Sequence, residues 1–167
     1  MEDKSAAANE PLNAIIDLSH HNQVSDFSAI RAAGILGVIH KATQGTGYTD
    51  PAYADRRTAA LDAGLLWGAY HFADASDATE QADHFLSTVD PTASDLLVLD
   101  MEQNYSEGQP APSMSIAGAE TFTQRIERQT GRFPGLYSGS YIKELLGDEK
   151  NPLLANCWFW LAQYGQT

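Results

Sequence analysis

Leu96-Leu97-Val98-Leu99-Asp100-Met101-Glu102 is the stretch whose reading decides the fold. An apolar run this short, Leu96–Met101, reads as a buried strand. Side chains alternate along a strand, so Asp100 and Glu102 point the same way as Val98. Leu97, Leu99 and Met101 then face the other way, toward helices. The two acids stand roughly 6–7 Å apart at the backbone. They lie at the carboxyl end of the strand, where β/α proteins place their chemistry.

Working outward, five more runs read as strands: Ala14–Leu18, Ile35–Lys41, Leu66–Phe72, Pro134–Ser138 and Trp158–Tyr164. Helical patterns separate them. The first covers about Asp26–Ala33. The second opens at Asp50-Pro51, an N-cap followed by proline at the first helical position, and ends at Gly64. The third carries Asp77 and Glu80 in capping-box spacing, with Ala78, Ala82, Phe85, Leu86 and Val89 on one face. The fourth places Ile116, Ala119, Phe122 and Ile126 at helical spacing and stops at Gly131. The fifth is short, about Tyr141–Leu146.

Strands alternating with helices imply a parallel sheet with right-handed crossovers. An open doubly wound sheet and a β/α barrel both fit. No GxGxxG follows the first strand and no GxxxxGK[ST] occurs, which counts against a nucleotide-binding open sheet. Asn104–Pro112, with two prolines and a glycine, is the expected active-site loop after the acidic strand.

The 167 residues suggest a single domain, and 43% hydrophobic with 19% charged residues is a globular balance. No apolar run approaches the roughly 18 residues that span a membrane. A net charge of -12 disfavours nucleic acid and any electrostatic attraction to an anionic surface. Met1 to Asn13 is polar, has no apolar segment of a signal peptide and reads as a flexible tail. Residues 14–167 form the folded domain. The single cysteine, Cys157, lies in an apolar run and reads as a buried structural thiol.

Like charges held close in a half-buried mouth push at least one carboxyl pKa upward, and a carboxyl still protonated near neutral pH can donate to a leaving oxygen. The plainer reading of an isolated DxE is a loop start or a cap. Ile15-Ile16-Asp17-Leu18-Ser19 repeats the theme, and in a closed barrel Asp17 faces Asp100 across the mouth. His20, His21, His40, His71 and His84 show no HExxH or other compact metal spacing. Tyr70, Tyr137, Trp160 and Tyr164 recur near strand ends. Each singly suits the core; as a set around an acidic mouth they suit a saccharide cleft.

Ile16-Asp17-Leu18-Ser19-His20, Lys41-Ala42-Thr43-Gln44-Gly45, Gly68-Ala69-Tyr70-His71-Phe72, Leu99-Asp100-Met101-Glu102 and Leu136-Tyr137-Ser138 occur in that order. Together, over about Ala14 to Gly165, they resemble glycoside hydrolase family 25, the Chalaropsis-type lysozymes of phage lysins and bacterial autolysins. The resemblance implies an irregular TIM-like β/α barrel without metal or cofactor. It implies hydrolysis of the β-1,4 bond from N-acetylmuramic acid to N-acetylglucosamine in peptidoglycan by a monomer acting on the cell wall, secreted or released as a phage lysin. Glu102 is then the general acid, Asp100 the second carboxylate and Asp17 an orienting charge. Tyr70, Tyr137, Trp160, Gln163 and Tyr164 line the cleft. Two retaining routes are open, one with a carboxylate nucleophile about 5–5.5 Å from the acid and one in which the sugar's acetamido oxygen attacks; the DxE spacing resembles that of substrate-assisted chitinases and favours the second, with Asp100 steering the acetamido group.

Three departures from the family pattern stand out. Gln44 occupies a position that often holds Glu, and His40 interrupts an apolar pair. The chain stops at Gly165-Gln166-Thr167, where the family continues, so the expectation is a C-terminally incomplete barrel lacking its last two strands. Two rival functions are a hydrolase of chitin-like N-acetylglucosamine polymers and a non-catalytic wall-binding module.

Overall fold

The computed structural model of the chain describes residues 14–162. In chain order the elements are β1 (Ile15–Leu18), α1 (Phe27–Ala32), β2 (Gly37–Gln44), β3 (Tyr48–Thr49), α2 (Tyr53–Asp62), β4 (Leu66–Phe72), α3 (Ala78–Val89), β5 (Leu96–Asp100), β6 (Tyr105–Ser106), β7 (Gln109–Pro110), α4 (Ile116–Thr130), β8 (Gly135–Ser138), α5 (Ser140–Leu146) and β9 (Phe159–Leu161). The main sheet runs β1-β2-β4-β5-β8-β9, all parallel, with the short β3 added antiparallel to β2. The sheet curls into a half-barrel.

The expected faces hold. Leu97, Leu99 and Met101 join Phe85, Val89, Phe122 and Ile126 of α3 and α4 in one buried core on the helical side. Val98 is fully buried but stands outside that cluster, on the concave side with Asp100. The Phe85 and Phe122 rings lie 6.1 Å apart, and Phe122 stacks on His71 at 5.1 Å. Removing such a ring costs about 3–5 kcal/mol, so this contact is a principal anchor of α3 and α4 to the sheet.

Local signals set most boundaries. Asp26 caps α1 through Ser28 N–H, Asp77 caps α3 through the N–H groups of Thr79 and Glu80, and Ser115 caps α4 through Gly118 N–H. Asp50 does not cap α2, which starts at Tyr53. Its carboxylate accepts Ala52 N–H but also binds the backbone and ring of His20, so it shapes a turn ahead of the helix. The loop over 104–112 is a tight hairpin. Glu107 and Gly108 both have positive φ, 51° and 76°, the backbone of the two-residue turn that matches strand twist. The last strand is shorter than expected, Phe159–Leu161, and Gln163 and Tyr164 lie outside the described residues.

The largest difference is in β2. It continues past Lys41 to Gln44 and carries one surplus residue, with Lys41 opposite Tyr70 and Thr43 opposite His71. Strict alternation would put Lys41 and Thr43 on one face and Gln44 on the other. The bulge at Ala42 reverses this. Thr43 goes to the helical side with His71, and Lys41 and Gln44 both face the concave side.

Candidate active site

Sheet register builds the site. Gln44, Phe72, Asp100, Tyr137 and Trp160 lie side by side on successive strands. One level below lie Lys41, Tyr70 and Val98, and below them Asp17 is level with Ile39. Glu102 stands just beyond the end of β5. Adjacent positions in a parallel sheet share a face, so these side chains converge on the concave side at the carboxyl ends of the strands.

They enclose a cavity of about 390 Å³ lined by Asp17, Ser19, His21, Lys41, Tyr70, Phe72, Asp100, Glu102, Tyr137 and Trp160. All three acids named from the sequence are on its wall, with Tyr70, Tyr137 and Trp160. The Tyr137 and Trp160 rings meet edge to face at 5.0 Å. A second, larger groove of about 910 Å³ adjoins it. Phe72 and Glu102 line both, and the β6–β7 hairpin supplies Tyr105 to the larger one. Gln103 and Asn104 anchor the hairpin base through Ser113 Oγ at 2.9 and 2.8 Å.

The acids differ in environment. Asp17, on the edge strand, is exposed. Glu102 is half-buried, and burial raises its pKa. Asp100 is only 7% exposed. Burial above all, then the charge of Glu102 and more weakly that of Asp17, hold its carboxyl well above the usual range; the Lys41 ammonium opposes them. Its Oδ1 has no hydrogen-bond partner among the described residues. Burial of an unmatched acceptor costs about 1–3 kcal/mol, a penalty a ligand donor would relieve. Burial and the nearby carboxylates of Asp100, Asp17, Asp50 and Glu102 also raise the Tyr70 phenol, which stays neutral.

Two supports lie behind the wall. The loop after β1, with Ser19 and His21, is pinned by Asp50, which accepts His20 N–H at 3.0 Å and the His20 ring at 2.8 Å. Burial alone would raise the Asp50 pKa, but hydrogen bonds from His20 and Ala52 outweigh it and hold the carboxyl low. Arg56 donates to the carbonyls of Ser19 and Asn22, both at 2.7 Å, and to His40 Nε2 at 3.2 Å. His40, the polar residue in an apolar strand, is thereby satisfied: its Nδ1 donates to Lys41 O and its ring stacks on Trp67. On the same side, His71 Nε2 donates to Gln81 Oε1 at 2.9 Å, because Gln81 Nε2 is committed to the carbonyls of Asp74 and Ser76. The Thr43 hydroxyl must then donate to His71 Nδ1 at 2.7 Å.

Lys41, Phe72, Ser19 and His21 are cavity residues that the sequence reading did not assign. A lysine inside an apolar strand was the available signal, since lysine is rarely buried without a role. His84 lies partly exposed on α3 and bonds to Tyr48 O. Among the described residues, no three His, Cys, Asp or Glu side chains converge to hold a metal. Cys157 is a free thiol packed against the core, and burial pushes its pKa up to about 11.

The model of the family described as Glycosyl hydrolases family 25 matches residues 16–167. The chain is 33% identical to Lysozyme M1 of Streptomyces globisporus over 160 residues, which cover 90% of the chain and 54% of that protein. It is 33% identical to an N,O-diacetylmuramidase of Chalaropsis over 135 residues, 73% of the chain and 64% of the relative. The chain thus spans between half and two-thirds of the length of these relatives. Among solved structures, a bacterial lysozyme from Streptomyces coelicolor superposes with a TM-score of 0.80 at 32% identity, covering 91% of the chain and 74% of that structure. The CTP1L endolysin superposes at 0.71 with 26% identity, covering 90% and 52%.

Proposed function

The chain belongs to glycosyl hydrolases family 25, and from that premise we propose that it is a muramidase, hydrolysing the β-1,4 bond between N-acetylmuramic acid and N-acetylglucosamine in bacterial peptidoglycan. The observation that carries the proposal is the cavity where Asp17, Asp100 and Glu102 meet among aromatic side chains, open to a larger groove at Glu102. A polysaccharide needs such a continuous trough, with its scissile bond beside the proton donor. Residues 14–167 are the catalytic domain in this reading, and the half-barrel is part of an irregular TIM-like β/α barrel. The protein acts as a monomer on the cell wall, after secretion or as a phage lysin, without nucleic acid or membrane partners.

Glu102 donates its proton to the glycosidic oxygen as the bond to the muramic acid carbon breaks. The sugar's own acetamido oxygen attacks that carbon from the opposite face, forming an oxazolinium ion and retaining configuration after the second step. Asp100 accepts the acetamido N–H and steadies the positive charge; its unmatched buried Oδ1 supports that role. Glu102, now a carboxylate, takes a proton from the water that opens the ring. Asp17 orients and balances charge, and Tyr70, Tyr137 and Trp160 pack against sugar faces.

The test is digestion of purified peptidoglycan with product analysis by mass spectrometry. New reducing ends on muramic acid are expected, and Glu102→Gln should lose at least about a hundredfold of the rate. Reducing ends only on N-acetylglucosamine, binding without cleavage, or equal rates for both proteins would each overturn the assignment.

A further inference from the structure

The cavity wall carries a cation that the reaction scheme above does not use. Lys41 is 9% exposed and is the one lysine or arginine among the described residues lining the cavity. Its Nζ donates to Gln44 Oε1 at 2.7 Å and lies 4.7 Å from the Phe72 ring centre and 5.5 Å from that of Tyr48. No carboxylate stands within ion-pair distance of it among the described residues. The ammonium is therefore fixed by a neutral amide and two ring faces, and its charge is not cancelled at contact. In a desolvated pocket such a charge acts strongly on its neighbours.

Those neighbours are carboxyls. Asp100 and Glu102 come from β5 and its end, Asp17 from β1, Asp50 from the turn before α2; Tyr48 and Tyr70 are neutral phenols on β3 and β4, and His71 is neutral behind the sheet. The mechanism needs the proton on Glu102 and the negative charge on Asp100. Burial and the charge of Glu102 favour the reverse, and Lys41 is the group on the wall that opposes them.

We propose that Lys41 is a positioning residue that decides which of Asp100 and Glu102 carries their shared proton, and that Gln44 serves it as a deliberately neutral clamp. The bulge at Ala42 makes the pair possible by turning both side chains to the concave face. A carboxylate at position 44 would pair with the ammonium and weaken its hold on Asp100. The inference rests on Glu102 as proton donor, so its test needs a readout independent of catalysis.

That readout is the carboxyl carbon NMR titration of Asp100 in the intact chain. In Lys41→Met and in Gln44→Glu its midpoint should rise, by about one pH unit in the former, while Lys41→Arg keeps the wild-type midpoint. In activity, kcat for Lys41→Met should fall roughly tenfold or more, with both limbs of the kcat/KM profile displaced to higher pH. KM should change little, and Lys41→Arg should restore the profile. An Asp100 midpoint unmoved in both Lys41→Met and Gln44→Glu overturns the proposal, whatever happens to rate. A displaced midpoint in a protein without muramidase activity would instead sink the functional reading and leave the electrostatic one standing. If Lys41→Met does not fold, Gln44→Glu, which keeps the lysine, decides alone.

Discussion

Acidification should destabilise this protein through His71, and the size of the effect follows from its surroundings. The ring is fully buried between Phe85 and Phe122, with Nε2–H bound to Gln81 and Nδ1 accepting from Thr43. Burial above all lowers its pKa from 6.5 to about 4. A folded-state pKa below the unfolded value means that the neutral ring contributes stability above pH 6.5. The contribution fades as pH falls toward 4 and is lost below it. A shift of about 2.5 units at about 1.36 kcal/mol each amounts to roughly 3 kcal/mol. That is a large share of the ~5–15 kcal/mol that holds a typical domain. Urea unfolding of wild type and His71→Gln at pH 7.5, 5.5 and 4.0 measures it. The variant starts less stable but has a flatter pH dependence, so the gap between the two should close by about 3 kcal/mol between pH 7.5 and 4. Carboxyl contributions are common to both proteins and cancel. A gap that stays constant to within about 0.5 kcal/mol would refute the neutral, doubly bonded ring.

Other expectations are as direct. A methyl group on Gly135 would collide with the Trp158 ring, so Gly135→Ala should destabilise by about 1–3 kcal/mol and lower Tm in calorimetry. Asp50→Asn weakens the clamp on His20 and should cost about 1–3 kcal/mol, with KM rising more than kcat falls because Ser19 and His21 lose their hold. Glu107→Asn places a residue that tolerates positive φ in the hairpin turn and should stabilise by a few tenths to about 1 kcal/mol in urea titration. Cys157, with its pKa near 11, should react with a disulfide reagent at neutral pH only on unfolding; rapid labelling of the native protein would contradict its packing.

The strand faces and most helix starts were legible because they depend on short-range periodicity and local caps. Asp100 and Glu102 could be assigned to one side of β5 from alternation alone, and Asp77 announces its helix. Asp50 shows where that logic stops. Its acid-proline pair has the form of a cap, but a partner thirty residues away, His20, has claimed the carboxylate. The hairpin over Glu107 and Gly108 looked like an open loop because neither flanking strand exceeds two residues. Lys41 was missed for a different reason. A period of two gave no reason to join it to Gln44, since only three-dimensional pairing with β4 reveals the surplus residue between them.

Ala42 has no polar side chain to offer, yet as the surplus residue of β2 it bears directly on the chemistry of the cavity. Its contribution is arithmetical: by standing outside the ladder it lets two side chains three positions apart share a face. Deleting it would leave Lys41, Thr43 and Gln44 opposite Tyr70, His71 and Phe72 in an unbroken ladder, so each side chain would keep its face. Loss of that one residue should therefore spare the pairing of Lys41 with Gln44, whereas forcing Ala42 into the ladder at full chain length would part them.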